Sequence, residues 1–198
     1  MTWFRRTPLE GARWVVIDCE TSGLDAARDR LLSVGAVAVR DSAVDLQEFY
    51  QAKVRQTTPS ASENILIHGI GGDAQRAGQP LSEVIDGLAR FLGDGLPVGF
   101  HAPFDAAVLR RHGLQARAKW LDLATLAPAL FPAKGKADSA LEHWLGAFGI
   151  PARARYDALG DAFATAQLLL VALAEAKRQR VASVEGLREA ASSRFLRP

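Results

Sequence analysis

The strongest constraint on this fold is a valine-rich apolar run, RWVVIDCE, that ends in two acids. Such a run is typical of a strand buried on both faces, inside a sheet that helices cover. Asp18 and Glu20 would project from the same face, because side chains alternate along a strand. Two carboxylates on a buried face need a cation or a basic residue nearby. The alternative is that Asp18 only ends the strand and Glu20 points into water.

The segments that follow predict a mixed α/β architecture. RLLSVGAVAVRD and VDLQEFYQAKV are separated by a polar break at residues 41–43, which predicts a hairpin leading to a sheet edge. The short strand PVGF precedes APFDAAVLRRHG, a predicted helix ended by Gly113. Strands followed by alternating helix and strand indicate a mixed sheet with helices on its faces. A further helix is predicted from apolar residues at helical spacing: Leu81, Val84, Ile85, Leu88 and Leu92.

Length and composition favour one domain in a reducing compartment. The 198 residues, 48% of them hydrophobic, suffice for one buried core and are few for two. The net charge of +2 makes any nucleic-acid contact a local one. The one cysteine, Cys19, has no disulfide or zinc partner. We see no apolar stretch as long as a membrane span and no signal peptide, so we expect a cytoplasmic protein without a membrane partner.

Acidic residues recur where other predicted elements begin. Asp105 lies in the first turn of the helix after PVGF, and Asp161 lies near the start of the last long helix. Each alone fits an ordinary helix cap or dipole partner. Together with Asp18 and Glu20 they form an oxygen cage of the kind that holds two Mg²⁺ or Mn²⁺ ions for phosphoryl displacement.

Three motifs resemble the DnaQ-like DEDD family of 3′-to-5′ exonucleases, in the class that carries a catalytic histidine. They are DCETSGL at residues 18–24, GFHAPFD at 99–105 and YDALGDA at 156–162. The resemblance covers about residues 13 to 174, and the proofreading epsilon subunit of bacterial DNA polymerase III is among the similar proteins. It implies a ribonuclease H-like fold with a five-stranded mixed sheet. It also divides the chain into an N-terminal extension (1–12), an exonuclease domain (13–176) and a C-terminal helical tail (177–198), and the tail is predicted as a polar helix pair or a frayed end.

The resemblance also implies roles for individual residues. Asp18 would bridge two divalent ions, Glu20 and Asp161 would complete the tighter site, and Asp105 would hold the second ion, partly through water. Thr21 would meet the sugar of the terminal nucleotide and Leu24 would wedge against its base. Glu63 and His68, in ENILIH, would also touch that nucleotide. Cys19 alternates with the two acids and should pack into the core on the opposite face.

Two positions depart from the family pattern. His101 stands where the family commonly has asparagine, and Tyr156 stands five residues before Asp161, where the histidine class has its general base. The tyrosine class has its tyrosine one residue later, at the position of Asp157, which we interpret as a helix N-cap. A tyrosine with pKa near 10 costs about 4 kcal/mol to use as a base at neutral pH, so we expect weakened catalysis at Tyr156 rather than complete loss.

Three functional hypotheses remain open at this stage. The first is a metal-dependent exonuclease acting at the 3′ end of single-stranded DNA, in proofreading or repair, with a polymerase as a candidate partner. The second keeps the chemistry and makes RNA the substrate. The third is a nucleic-acid-binding module whose active site has decayed at Tyr156, against which the four intact acids argue. The tail contains no convincing clamp-binding peptide.

Overall fold

A mixed five-stranded sheet forms the centre of the protein. The computed structural model describes residues 6–60, 65, 69–136, 138–151 and 157–193. β1 pairs antiparallel with β2 and parallel with β4, as the predicted mixed sheet requires. The strands lie in the order β3-β2-β1-β4-β5 and comprise β1 (Trp14–Thr21), β2 (Leu31–Arg40), β3 (Ala43–Lys53), β4 (Leu96–Gly99) and β5 (Leu121–Asp122).

The predicted hairpin and edge strand are both present. β2 and β3 pair antiparallel and are joined by Asp41 and Ser42, whose φ angles of 51° and 63° place both in the left-handed region. Two-residue hairpin turns with positive φ match the twist of the strands they join, and aspartate tolerates that conformation better than most residues. β3 has a neighbour on one side only, and it is therefore a sheet edge.

Helices cover both faces of the sheet, and the sheet separates the hydrophobic core into two parts. One face carries Val16 and Val37, which pack with the long helix α6. The opposite face carries Val15 and Ile17. The predicted helix that begins at Leu81 is α2, on this second face. The helices among the described residues are α1 (Gly72–Arg76), α2 (Leu81–Leu92), α3 (Ala102–Arg111), α4 (Leu123–Leu130), α5 (Leu141–Ala147), α6 (Ala158–Arg178) and α7 (Val184–Ser193).

Helix α6 corrects one expectation from the sequence. Its 21 residues, with a mean hydropathy of 1.4 over the most apolar part, are long and apolar enough to cross a membrane by length and composition. The expectation that no apolar stretch reaches that length was therefore wrong. In the fold, α6 packs against β1 and β2, and Ala162, Leu168 and Leu169 are fully buried there. Burial in the core accounts for its composition.

The C-terminal segment forms a second helix that packs on the body. α7 contacts α4 and buries Val184 and Leu187 completely. The Val184 amide donates to the Thr7 carbonyl at 2.9 Å, and the Leu9 amide donates to Ala182 at 3.2 Å. The described part of the tail, to residue 193, holds the end of α6 and the single helix α7, so it is neither the predicted pair of helices nor a frayed end. The division at residues 12 and 176 stays a prediction.

Candidate active site

The end of β1 presents Asp18 and Glu20 on one face of the sheet, as the alternation predicts. Asp18 lies opposite Gly35 of β2, and Glu20 lies opposite Ser33. The four residues before Asp18 are fully buried, and burial becomes partial from Asp18 onward. The two carboxylates therefore occupy the boundary between the apolar core and the surface.

Gly35 allows the start of α6 to lie directly on this part of the sheet. A Cβ on Gly35 would lie well inside 3.0 Å of backbone atoms of Ala158 and Leu159, a separation that real Cβ atoms essentially never show. The sequence analysis did not single out Gly35. A glycine inside a strand pattern is a recognised sign of close backbone approach, so SVGAVAV carried the signal.

The close approach brings Asp161 to the two strand acids. Asp18, Glu20 and Asp161 each offer a carboxylate oxygen, and these oxygens lie within 4.8 Å of one another. Ligands on opposite sides of a six-coordinate Mg²⁺ are about 4.2 Å apart, given Mg–O distances near 2.1 Å. The three carboxylates are thus spaced for one hard divalent cation, and hard oxygen ligands are the kind that Mg²⁺ and Mn²⁺ prefer.

The fourth predicted acid, Asp105, lies beside this group but outside it. Its side chain is 5% exposed, in the first turn of α3. It accepts hydrogen bonds from the thiol and the backbone N–H of Cys19. Its negative charge contributes to raising the pKa of Asp18. The structure therefore brings three of the four acids into one ligand group and places Asp105 next to them.

Burial and mutual repulsion shift the acids toward their protonated forms. Burial, followed by the charges of Asp105, Asp161 and Glu20, raises the pKa of Asp18 well above its usual value. Burial, followed by the charges of Asp161 and Asp157, raises the pKa of Glu20 to about 7. Burial also raises the pKa of Asp105 to about 7 against the lowering effect of its hydrogen bonds. Without a cation the cluster therefore retains protons near neutral pH, and a bound divalent cation would displace them.

Cys19 packs on the opposite face, as predicted, and has an additional contact. Its side chain lies against the second core, with Val15 and Ile17. Burial raises the pKa of its thiol well above the usual value, so the sulfur keeps its proton and can donate a hydrogen bond to the carboxylate of Asp105. The sequence offered no signal for this contact, since Cys19 and Asp105 lie on different elements.

Asp122 links two helix starts beside the site and was not singled out in the sequence. Its Oδ1 accepts from the Ala124 amide at 3.1 Å, which caps α4, and from the Ala102 amide at 3.2 Å, at the start of α3. One carboxylate thereby fixes the helix turn that carries Asp105. Its negative charge also contributes to raising the pKa of Asp105.

Comparison of the sequence with models of protein families identifies the family of this domain. Residues 15–169 match the family model described as "Exonuclease", RNase_T, and this match includes Asp18, Glu20, Asp105 and Asp161. The chain belongs to this exonuclease family.

The exonuclease domain is similar to curated relatives, among them one from Rhodobacter capsulatus, and to several solved nuclease structures. A "DNA polymerase III subunit epsilon-like protein" from that organism is 32% identical over 170 residues, which cover 83% of this chain and 24% of the relative. The chain thus spans about a quarter of that relative's length. Exonuclease X in complex with 5′ overhanging duplex DNA superposes with a TM-score of 0.72 at 21% identity, covering 90% of this chain and 99% of the other.

A second solved structure confirms the fold class. E. coli Exonuclease I in complex with a dT13 oligonucleotide has a TM-score of 0.70 at 22% identity, covering 85% of this chain and 42% of the other. The ribonuclease H-like fold predicted from the three motifs is therefore confirmed.

The family's second motif shows why His101 is accepted in place of asparagine. His101 immediately precedes α3 in the left-handed conformation, with φ 57° and ψ 40°. Asparagine, aspartate and histidine enter this region more readily than other non-glycine residues. His101 is exposed, and its ring meets Phe100 edge-on at 4.8 Å between centroids. Histidine is therefore compatible with the left-handed backbone conformation that precedes Asp105.

The predicted substrate residues fall into two groups. Thr21 ends β1, and its hydroxyl donates to the Gly23 carbonyl at 2.6 Å. Leu24 is 93% exposed in the loop that follows. The carboxylate of Asp29 braces this loop by accepting from the Asp25 amide at 2.7 Å. Glu63, His68 and Tyr156 lie outside the described residues.

Asp157 occupies the predicted N-cap position without capping through its side chain. It precedes α6 with extended backbone angles, and its carboxylate makes no capping hydrogen bond. Instead it accepts from Nε2 of Gln51 on β3 at 2.9 Å. Its charge contributes to raising the pKa of both Asp18 and Glu20. Asp157 therefore ties the start of α6 to the edge strand and adds negative charge beside the site.

Proposed function

We propose that this chain is a metal-dependent exonuclease that releases nucleoside monophosphates from the 3′ end of DNA. The observation that carries the proposal is the convergence of Asp18, Glu20 and Asp161 within 4.8 Å, in a domain of the exonuclease family. A structural role for three clustered carboxylates is disfavoured, because burial and mutual repulsion make such a cluster costly without a cation.

The four acids would hold two divalent ions, Mg²⁺ or Mn²⁺. Asp18 would contribute to both sites, Glu20 and Asp161 would complete one of them, and Asp105 would serve the other. Such ions supply charge stabilisation to a phosphoryl transfer and lower the pKa of water. The protein's own contribution is positioning: Asp122 fixes the start of α3, and Gly35 lets α6 reach the sheet.

The loop after β1 is the proposed contact for the terminal nucleotide. Leu24 is almost fully exposed next to the acidic site, where an apolar side chain gains by stacking on a base. Thr21 is held by its bond to Gly23, which fixes the backbone that would meet the sugar. Glu63 and His68 remain predicted contacts on the basis of the motif alone.

Tyr156 is proposed to occupy the position of the usual general base and to slow the reaction. Tyrosine holds its proton at neutral pH far more firmly than histidine, so most of the benefit of a base, roughly 10²-fold to 10⁴-fold, would be lost. The contribution of the acids does not depend on this residue. Slow hydrolysis is therefore the expected outcome.

DNA is favoured over RNA as the substrate, with a replicative polymerase as a candidate partner. The R. capsulatus relative is named for a polymerase III subunit, and the structures of Exonuclease X and E. coli Exonuclease I described above contain DNA. These names support a proofreading or repair role inside the cell. The chain covers only about a quarter of that relative, so a polymerase partner has to be tested directly, by co-purification.

The decisive experiment follows the digestion of end-labelled single strands. DNA and RNA of matched sequence, labelled at the 5′ end, are incubated with Mg²⁺, Mn²⁺ or a chelator. A ladder that shortens from the 3′ end of DNA, and that requires metal and Asp161, supports the proposal. A ladder on RNA alone would make the protein an exoribonuclease, and binding without any ladder would indicate a decayed module.

A further inference from the structure

A second feature of the surface is a cleft lined by arginines. It measures about 280 Å³ and is lined by four arginines and one aspartate. The four are Arg28, Arg30, Arg55 and Arg111, and this set is called the arginine cleft below. The surplus of three positive charges there exceeds the net charge of +2 of the whole chain.

Three of these guanidinium groups are held by backbone carbonyls. Arg55 Nε donates to the Gly78 carbonyl at 3.0 Å, and Arg30 and Arg111 donate to the carbonyls of Thr58 and Asp29. No carboxylate of the described residues forms a salt bridge with any of the three. A guanidinium has five N–H donors in a fixed fork, so most donors of each group remain for an anion.

The one acid in the cleft is turned away from the arginine side chains. Asp29 accepts from the Ser22 hydroxyl at 3.0 Å through Oδ1 and from the Asp25 amide at 2.7 Å through Oδ2. Both oxygens thus serve the loop that carries Leu24. His112 also lines the cleft, and burial together with the charge of Arg111 lowers its pKa, which favours its neutral form.

The arginine cleft and the acidic site share two elements. Leu31 lines the cleft and pairs with Thr21, the last residue of β1. Asp105 and Arg111 both belong to α3, six residues apart, which corresponds to about 9 Å along the helix axis.

We propose that the arginine cleft binds backbone phosphates of the nucleic acid upstream of its 3′ end. The ligand is a phosphodiester, which planar guanidinium groups bind through paired N–H donors. The cleft holds the polymer while its terminus occupies the acidic site. This inference rests on the proposed function, and the phosphates belong either to the cleaved strand or to its complement.

The test removes the three arginine charges and compares a matched control. The triple variant Arg30→Gln, Arg55→Gln, Arg111→Gln is compared with Arg90→Gln, Arg117→Gln, Arg178→Gln, which removes the same charge outside the cleft. Binding of fluorescein-labelled DNA is measured in chelator across salt concentrations. The cleft variant should bind DNA about 10-fold more weakly or worse. The slope of log K against log salt is negative, and its magnitude should decrease by about 2, at roughly 0.7 per phosphate. The control should keep the wild-type slope.

Two DNA probes distinguish the sources of the phosphates. Loss of affinity for a single strand assigns the cleft to the cleaved strand. Loss confined to a duplex with a recessed 3′ end assigns it to the complement. Unchanged slopes on both probes would overturn the proposal. If the triple variant unfolds, the single variant Arg55→Gln tests the same proposal. It should decrease the magnitude of the salt slope by about 0.7.

Hydrolysis of a small chromogenic nucleotide ester separates the cleft from the acidic site. This substrate has no second phosphate for the arginines, so the cleft variant should hydrolyse it at the wild-type rate. A parallel loss on the ester would contradict the proposal, because the effect would then come through the acids. If the wild-type protein hydrolyses neither DNA nor the ester, the proposed function fails, while the binding slopes still decide the cleft.

Discussion

Replacing Gly35 by alanine should separate Asp161 from the strand acids. The new Cβ would lie inside 3.0 Å of backbone atoms of Ala158 and Leu159, whereas ordinary contacts begin at 3.4 Å. Backbone cannot rotate away as a side chain can, so the start of α6 must withdraw from β2 by on the order of 1 Å. The carboxylate of Asp161 moves with it.

A displacement of this size is large on the scale of a catalytic site. Functional groups need to be held to about 0.5 Å, and misplacement by about 1 Å costs roughly 100-fold in rate. Overpacking of this kind also costs about 1–3 kcal/mol of stability. We therefore expect Gly35→Ala to remain folded, to lose about 100-fold or more in nuclease rate, and to show a smaller rise in melting temperature when Mg²⁺ or Mn²⁺ is added.

Gly146→Ala is the matched control for this change. A Cβ on Gly146, in α5, would meet nothing within 4 Å, and alanine favours a helix over glycine by about 1 kcal/mol. That variant should keep the wild-type rate. A Gly35→Ala protein with wild-type rate and metal response would refute the reasoning that Gly35 positions Asp161.

Three further predictions concern the acids and the proposed base. Asp18→Asn should abolish nuclease activity, while the apoprotein at pH 7.5 should be at least as stable as wild type because charge repulsion in the cluster decreases. The control is Asp86→Asn at an exposed position. Retained turnover in Asp18→Asn would contradict the metal site. Asp105 binds its proton more tightly in the folded state, so in chelator stability is retained at low pH and falls as pH rises from about 4 through about 7. Urea unfolding at pH 5.5 and 8 should show a loss of about 2 kcal/mol in the free energy of unfolding that Mg²⁺ reduces, and a flat profile would rule this out. Tyr156→His should raise turnover by roughly 10-fold or more with little change in substrate affinity. If the histidine variant stays slow and Tyr156→Phe matches wild type, position 156 does not limit the chemistry.

The sequence by itself determined the elements of the fold and the direction of the strand acids. Asp18 and Glu20 share a face because alternation along a strand is a local property of the backbone, and the register of β1 with β2 agrees with it. The hairpin at residues 41–43 and the helix from Leu81 were equally local, because turn chemistry and helical spacing need only neighbours in sequence.

Only the tertiary structure decided which of these groups meet. Asp161 reaches Asp18 because Gly35, far away in sequence, offers no side chain to block α6. The same long-range packing gives Cys19 its contact with Asp105 and buries a helix whose composition alone would suit a membrane. The arginine cleft likewise combines a loop, a strand end and the end of α3. Periodicity records how a segment faces its surroundings, but which segments become neighbours depends on packing between elements distant in sequence.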